Sequence, residues 1–125
     1  MIAQMEPRLD AAVWRFVLIG PGNAPTLLGR AIATFREDEG VTAIVPAEVA
    51  DEAGLPGPDF RRIVLQVYSD LEGVGLTAAV ASALADGGIA CNMVAAFHHD
   101  HVFVPAKKAE AALALLEALS VKRRV

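Results

Sequence analysis

Three clusters in this sequence carry groups able to do chemistry. The first is Ser69-Asp70-Leu71-Glu72-Gly73-Val74-Gly75. Its two glycines permit unusual backbone angles and the close approach of a ligand. A helix starting there offers free N–H groups and the positive end of its dipole, which suits a carboxylate. Asp70 suits an ammonium group. An α-amino acid carries both charges, so the loop chemistry matches that class. Asn92, at the start of a later strand, adds a donor and an acceptor. The same residues also read as a plain helix cap. Ser69-x-x-Glu72 has capping-box spacing, and Gly73 and Gly75 then serve close packing on a sheet.

The second cluster is His98-His99-Asp100-His101. Imidazole and carboxylate suit zinc or nickel. Alternation along a strand, however, sends His99 and His101 to one face and His98 and Asp100 to the other. No fourth ligand stands out elsewhere, so a polar turn is expected and no metal. The third is the lone Cys91, which excludes an internal disulfide and fits a reducing compartment. It lies at the head of an apolar strand with no histidine beside it in sequence, so a buried, inert thiol is expected. No G-x-S-x-G, Walker or Rossmann fingerprint is present, and no nucleophile is paired with a base. The sequence therefore predicts no catalytic residue and no cofactor.

The whole chain limits the partners. Its 125 residues allow one compact unit or two very small ones, and 54% of them are hydrophobic, which supports a substantial core. Only 6% are aromatic, so that core is aliphatic. The net charge of -4 disfavours non-specific nucleic-acid binding. The start, from Met1 to Gly20, lacks the order of a signal peptide, and the longest weakly polar stretch, Gly73 to Ala85, is too short to span a bilayer. A cytoplasmic protein is expected, bound to neither membrane nor nucleic acid.

Elements that must position these residues follow from pattern. Residues 1–12 read as a lead-in. Val13 to Ile19 reads as a strand, and Gly20 to Pro25 as a loop. Ala31–Arg36 and Val41–Val45 form a hairpin across the acidic turn Glu37–Gly40. Pro46 opens a short helix that Gly54 closes. Leu55 to Asp59 is a linker. Ile63 to Tyr68 alternates as a strand with one buried face. A helix over 72–86 ends at Gly87-Gly88. Strands at Ile89–Phe97 and Val102–Val104 flank the histidine turn. A last helix after Pro105 carries Ala109, Ala112, Leu113 and Leu116 on one face, and Val121–Val125 is a short strand or a frayed end.

A repeat organises these elements. Val45-Pro46-Ala47, Ala50 and Ala53 recur as Val104-Pro105-Ala106, Ala109 and Ala112, always 59 residues on. Each copy sits at a strand-to-helix junction after a hairpin. The second half runs β-α-β-β-α, and the first matches it with its first helix nearly lost to the loop at 20–29. This is the ferredoxin-like order, an α+β fold with antiparallel sheets and helices on one face. The expected division is 13–58 for a degenerate unit and 59–125 for a complete one. Two units fit so short a chain if the strand at 61–69 serves both or if they share edges.

From Ile63 to about Leu119 the chain resembles an ACT domain. The residues that carry the resemblance are Ser69 to Leu76 and Gly88-Ile89-Ala90-Cys91-Asn92-Met93. Thr34-Phe35 to Pro46, and Asn92 to Pro105, are similar to a branch of stand-alone bacterial tandem ACT proteins, itself similar to eukaryotic cytosolic arginine sensors. Glu72 stands where the family's loop usually has a proline, and the first half lacks the glycine loop. The resemblance implies a non-catalytic sensor that binds an amino acid through Asp70, Leu71, Glu72, Gly73, Val74, Gly75, Asn92 and Met93. It also implies a homodimer and a regulated enzyme on a separate chain. The alternative is a ligand-free oligomerisation module that uses the same sheet edges.

Overall fold

The computed structural model describes residues 5–68 and 75–124. Its strands are β1 (Pro7–Ile19), β2 (Ala33–Glu37), β3 (Gly40–Pro46), β4 (Phe60–Tyr68), β5 (Asn92–Ala95) and β6 (His99–Pro105). Its helices are α1 (Ala24–Arg30), α2 (Ala47–Glu52), α3 (Gly75–Asp86) and α4 (Ala109–Arg124), the last entered through a 3-10 turn over Ala106–Lys108. The chain divides into two compact units. Ala12–Phe60 forms the first, and the residues up to Ala11 join those from Arg61 onward to form the second. The strand divided between them is β1, and not the one expected at 61–69.

In the first unit the strand order is β2-β3-β1, antiparallel throughout. Val17 lies opposite Ala43 and Arg15 opposite Val45, so these four share a face. That face packs on Leu27 of α1 and on Val49 and Ala50 of α2 to make an aliphatic core. Trp14, Phe16 and Ile44 occupy the other face, where the Phe16 ring meets Phe60 edge-on at 5.2 Å. Gly54, at φ +71, ends α2 in a Schellman motif: its N–H donates to Asp51 O and that of Leu55 to Ala50 O.

One polar side chain breaks the apolar pattern of the helix-covered face. Arg15 is only 7% exposed. Its Nη1 donates to Asp51 Oδ1 at 2.7 Å and to the Leu55 carbonyl at 2.9 Å, while Nε and Nη2 donate to Asp59 Oδ1 at 3.0 and 2.8 Å. A guanidinium with four such bonds can leave water without a large penalty. It ties the expected linker to β1 and to the end of α2.

In the second unit the order is the head of β1, then β4, β6 and β5. A β-α-β-β-α-β chain places a final strand beside its first one. Here that place is filled from the other end of the chain. The Asp10 carbonyl accepts from Arg61, the Asp10 carboxylate accepts from Arg62 at 2.9 and 3.1 Å, and the Met5 carbonyl accepts from the Gln66 N–H at 2.8 Å. Ile63, Leu65, Val102 and Val104 face Val80 and Leu84 of α3 and Ala109, Ala112 and Leu116 of α4. Met5, fully buried, closes this core.

The fold is therefore the expected α+β, ferredoxin-like arrangement, with several elements displaced. Over its described part the lead-in is not frayed: β1 begins at Pro7 because Met5 and Leu9, on alternate positions, bury against the second core. The loop at 20–29 contains α1, since Pro25 suits a first turn and Leu27 is buried under the helix. The strand expected at Ile89–Phe97 shrinks to Asn92–Ala95. Ile89 instead completes the Schellman cap of α3, its N–H donating to Leu84 O after Gly88 at φ +73. Residues 121–124 are not a strand, because α4 continues to Arg124. The capping box at Ser69–Glu72 lies outside the described residues.

Candidate ligand site

The expected site is built where β4 hands over to α3. Of its loop, Asp70, Leu71, Glu72, Gly73 and Val74 lie outside the described residues, and Gly75 is the first residue of α3. The backbone angle at Gly75 turns on Val74 and so also lies outside the described residues. What remains is its size. Among the described residues, a Cβ built on Gly75 meets nothing within 4 Å. Among the described residues, open space therefore stands where a side chain at the first position of α3 would lie.

Asn92 and Met93 open β5 and point to opposite faces. Met93 lies opposite Val102 and packs on the helix-covered core together with Leu76, the second residue of α3. Asn92 lies opposite Phe103 and is exposed on the helix-free face. The structure therefore brings Met93, and not the Asn92 side chain, to the face from which α3 starts.

The histidine cluster is not a four-residue turn. The Ala96 N–H donates to His99 O, and Ala95 lies opposite Asp100, so the turn proper is Phe97-His98 and β6 begins at His99. Asp100 is buried on the helix-covered side, whereas His101 faces the helix-free side opposite Val94. Among the described residues no three of His, Cys, Asp and Glu are grouped to hold a metal. Burial holds the His101 imidazole below its usual value, with Arg62 and His99 adding to the shift and Asp100 opposing it. Among the described residues, its Nδ1 and the Gln66 Nε2 are both buried without a hydrogen-bond partner, a feature that the sequence pattern did not signal. Burial raises the Cys91 thiol above its usual value, which suits an unreactive sulfur.

Two ACT-domain family models match in tandem, one over residues 1–61 and one over residues 59–118. No curated protein matches. Among solved structures, a Vibrio cholerae protein of unknown function, described as a possible transport protein, is 42% identical. The match covers 92% of this chain and 90% of that one, with a TM-score of 0.81. The ligand-free regulatory subunit of aspartate kinase from Thermus thermophilus is 20% identical, over 90% and 95% of the two chains, with a TM-score of 0.59. A protein from Agrobacterium tumefaciens is 15% identical, over 91% and 87%, with a TM-score of 0.63. The last two likenesses are of fold. No helix among the described residues is long and apolar enough to cross a membrane.

Proposed function

The chain belongs to the ACT-domain family, and from that premise we propose that it is a non-catalytic sensor whose second unit binds an amino acid. ACT domains are typically ligand-binding regulatory modules. The feature that supports the amino-acid reading is the head of α3, whose backbone N–H groups begin at Gly75, a residue with open space where a side chain would stand. Those groups and the helix dipole take the carboxylate. Asp70 takes the ammonium group, and Leu71, Glu72, Gly73 and Val74 supply the rest of the loop. Met93 gives the ligand an apolar wall, and Asn92 a polar rim at the start of β5. No residue is assigned to catalysis, to a metal or to a cofactor.

Occupancy shifts an assembly equilibrium by as much as the ligand prefers one state over the other. The protein acts as a homodimer in the cytoplasm and reports to an enzyme on a separate chain. A thermal-shift screen of purified protein against the twenty amino acids tests the reading. A ligand at a hundredfold excess over its Kd stabilises by about 2.7 kcal/mol. One or two amino acids are expected to raise Tm by several degrees. Gly75→Val is expected to keep its own Tm and lose the response. A flat screen favours the second reading, a ligand-free assembly module, for which the exposed Phe35 and Phe97 speak.

A further inference from the structure

The two units divide the chain's charge unevenly. Residues 12–60 hold three basic and seven acidic side chains, so the whole net charge of -4 falls on the first unit. Three of those acids, Glu37, Asp38 and Glu39, are consecutive and exposed at the tip of the β2-β3 hairpin. Among the described residues no basic side chain pairs with any of them. Beside them on the helix-free face stand Phe35 and Leu18, 72% and 57% exposed. We propose that this corner of the first unit docks the separate protein to which the sensor reports, through a partner segment that sets apolar side chains next to lysine or arginine.

Strand register brings the two chemistries onto one surface. Phe35 lies opposite Thr42 and Thr42 opposite Leu18, so the three stand side by side across β2, β3 and β1. Glu37, two residues along β2 from Phe35, shares its face and lies opposite Gly40. A Cβ built on Gly40 would stand 3.0 Å from Leu18 Cδ1. The Leu18 side chain therefore lies against Gly40, toward the acidic turn, where any other residue would push it away. The Thr42 hydroxyl donates to Glu37 Oε1 at 2.7 Å, so an apolar cover leaves it satisfied. The Glu37 carboxylate keeps lone pairs for an incoming cation. Arg36 does not compete, because alternation puts it on the opposite face of β2, with Thr34.

Charge selects the occupant. The acidic turn repels nucleic acid and anionic lipid. It repels the same corner of a second copy as well. A basic segment with an apolar side gains twice, by covering Phe35 and Leu18 and by pairing with the turn. The surface lies in the unit without the glycine loop, so partner docking and ligand binding fall to different halves of the chain.

The inference rests on the reading of the chain as a sensor, and its test uses no amino acid. The probe is the synthetic peptide Leu-Ser-Phe-Ser-Lys-Ser-Lys, which when extended puts two apolar and two basic side chains on one side. One control peptide has Ser in place of Leu and Phe, and the other has Glu in place of both Lys. Each is titrated into the labelled protein while amide chemical shifts are followed. The probe is expected to give a saturable shift at Leu18, Phe35 and residues 37–42 that weakens as salt is raised. Both controls are expected to bind about tenfold more weakly. Phe35→Ser, Leu18→Ser and the double variant Asp38→Asn with Glu39→Gln are expected to weaken the probe by a similar factor. All four positions are exposed, and Tm checks that each variant folds. No saturable shift, equal binding of the serine control, or shifts centred elsewhere overturns the proposal. So does a wild type that sediments as a dimer while Phe35→Ser and Leu18→Ser sediment as monomers, which gives the face to a second copy. A kept amino-acid response without peptide binding removes the docking face alone, and the reverse removes the ligand reading alone.

Discussion

At the strand-to-helix junction the two units are nearly superimposable in sequence logic. Away from it they solve the same problem differently. Ala43, Val45 and Ala50 of the first core recur as Val102, Val104 and Ala109 of the second, all buried, and Ile44 and Phe103 are both buried on the opposite face. The first strands differ. Arg15 in β1 and Leu65 in β4 stand at matching places and are 7% and 0% exposed. The second unit has two long helices, α3 and α4, to cover its face, so that position is apolar. The first has only α1 and α2, of seven and six residues. There a guanidinium held by four hydrogen bonds and the Leu55–Asp59 segment supply the cover that a longer helix supplies elsewhere. The shorter helices go with a polar tie, and the three-stranded sheet is complete.

That comparison can be broken by truncating each member of the pair. Leu65→Ala is expected to cost about 3 kcal/mol in chemical denaturation, since it opens a cavity under two helices. Arg15→Ala should cost less, about 1–2 kcal/mol, because Asp51 and Asp59 are 68% and 42% exposed and rehydrate when the guanidinium goes. An Arg15→Ala loss equal to or above that of Leu65→Ala would mean the tie is as central as the core.

The helix ends sharpen the likeness. Gly54 and Gly88 both hold positive φ, +71 and +73, and neither has a neighbour within 4 Å of a built Cβ. Gly54→Ala and Gly88→Ala should each cost about 1 kcal/mol, from backbone strain alone. Unequal losses would show that one cap is relieved by local rearrangement.

The smallest effect concerns pH. Thr42 and His101 occupy matching places, opposite Phe35 and Val94. The folded protein holds His101 below its usual value of 6.5, so below that value the unfolded chain binds more protons than the folded one. Stability is then full above about pH 6.5 and falls as pH drops toward the folded-state value. His101→Thr, which imports the first unit's residue, should flatten that part of a Tm-against-pH curve. An unchanged slope would assign the acid loss to other groups.

The repeat, the ferredoxin-like order and both hairpins were legible because they rest on local pattern: V-P-A at a strand-to-helix junction, glycine after a helix, alternation along Ile63–Tyr68. What was not legible depends on distance along the chain. Met5 and Leu9 alternate too sparsely to announce a strand, and only pairing with β4 makes one. Arg15 sits within the apolar run Val13–Ile19 with no local partner in sequence, because its partners lie 36 to 44 residues on. At the candidate site, Gly75 is expected for backbone freedom and for the close approach of a ligand, and the open space at its Cβ position bears on the second of these. Alternation along β5 sends Asn92 away from Met93, and the register that decides this, Asn92 opposite Phe103, is set by β6 and not by local sequence.

The central claim is that only the second unit holds a ligand. The direct measurement is an amide chemical-shift titration of the labelled protein with the amino acid that the thermal screen selects. The predicted result is a saturable shift confined to residues 69–76 and to Asn92 and Met93, with the amides of residues 20–31 unmoved. Shifts centred on residues 20–31, or none with any of the twenty amino acids, would contradict it.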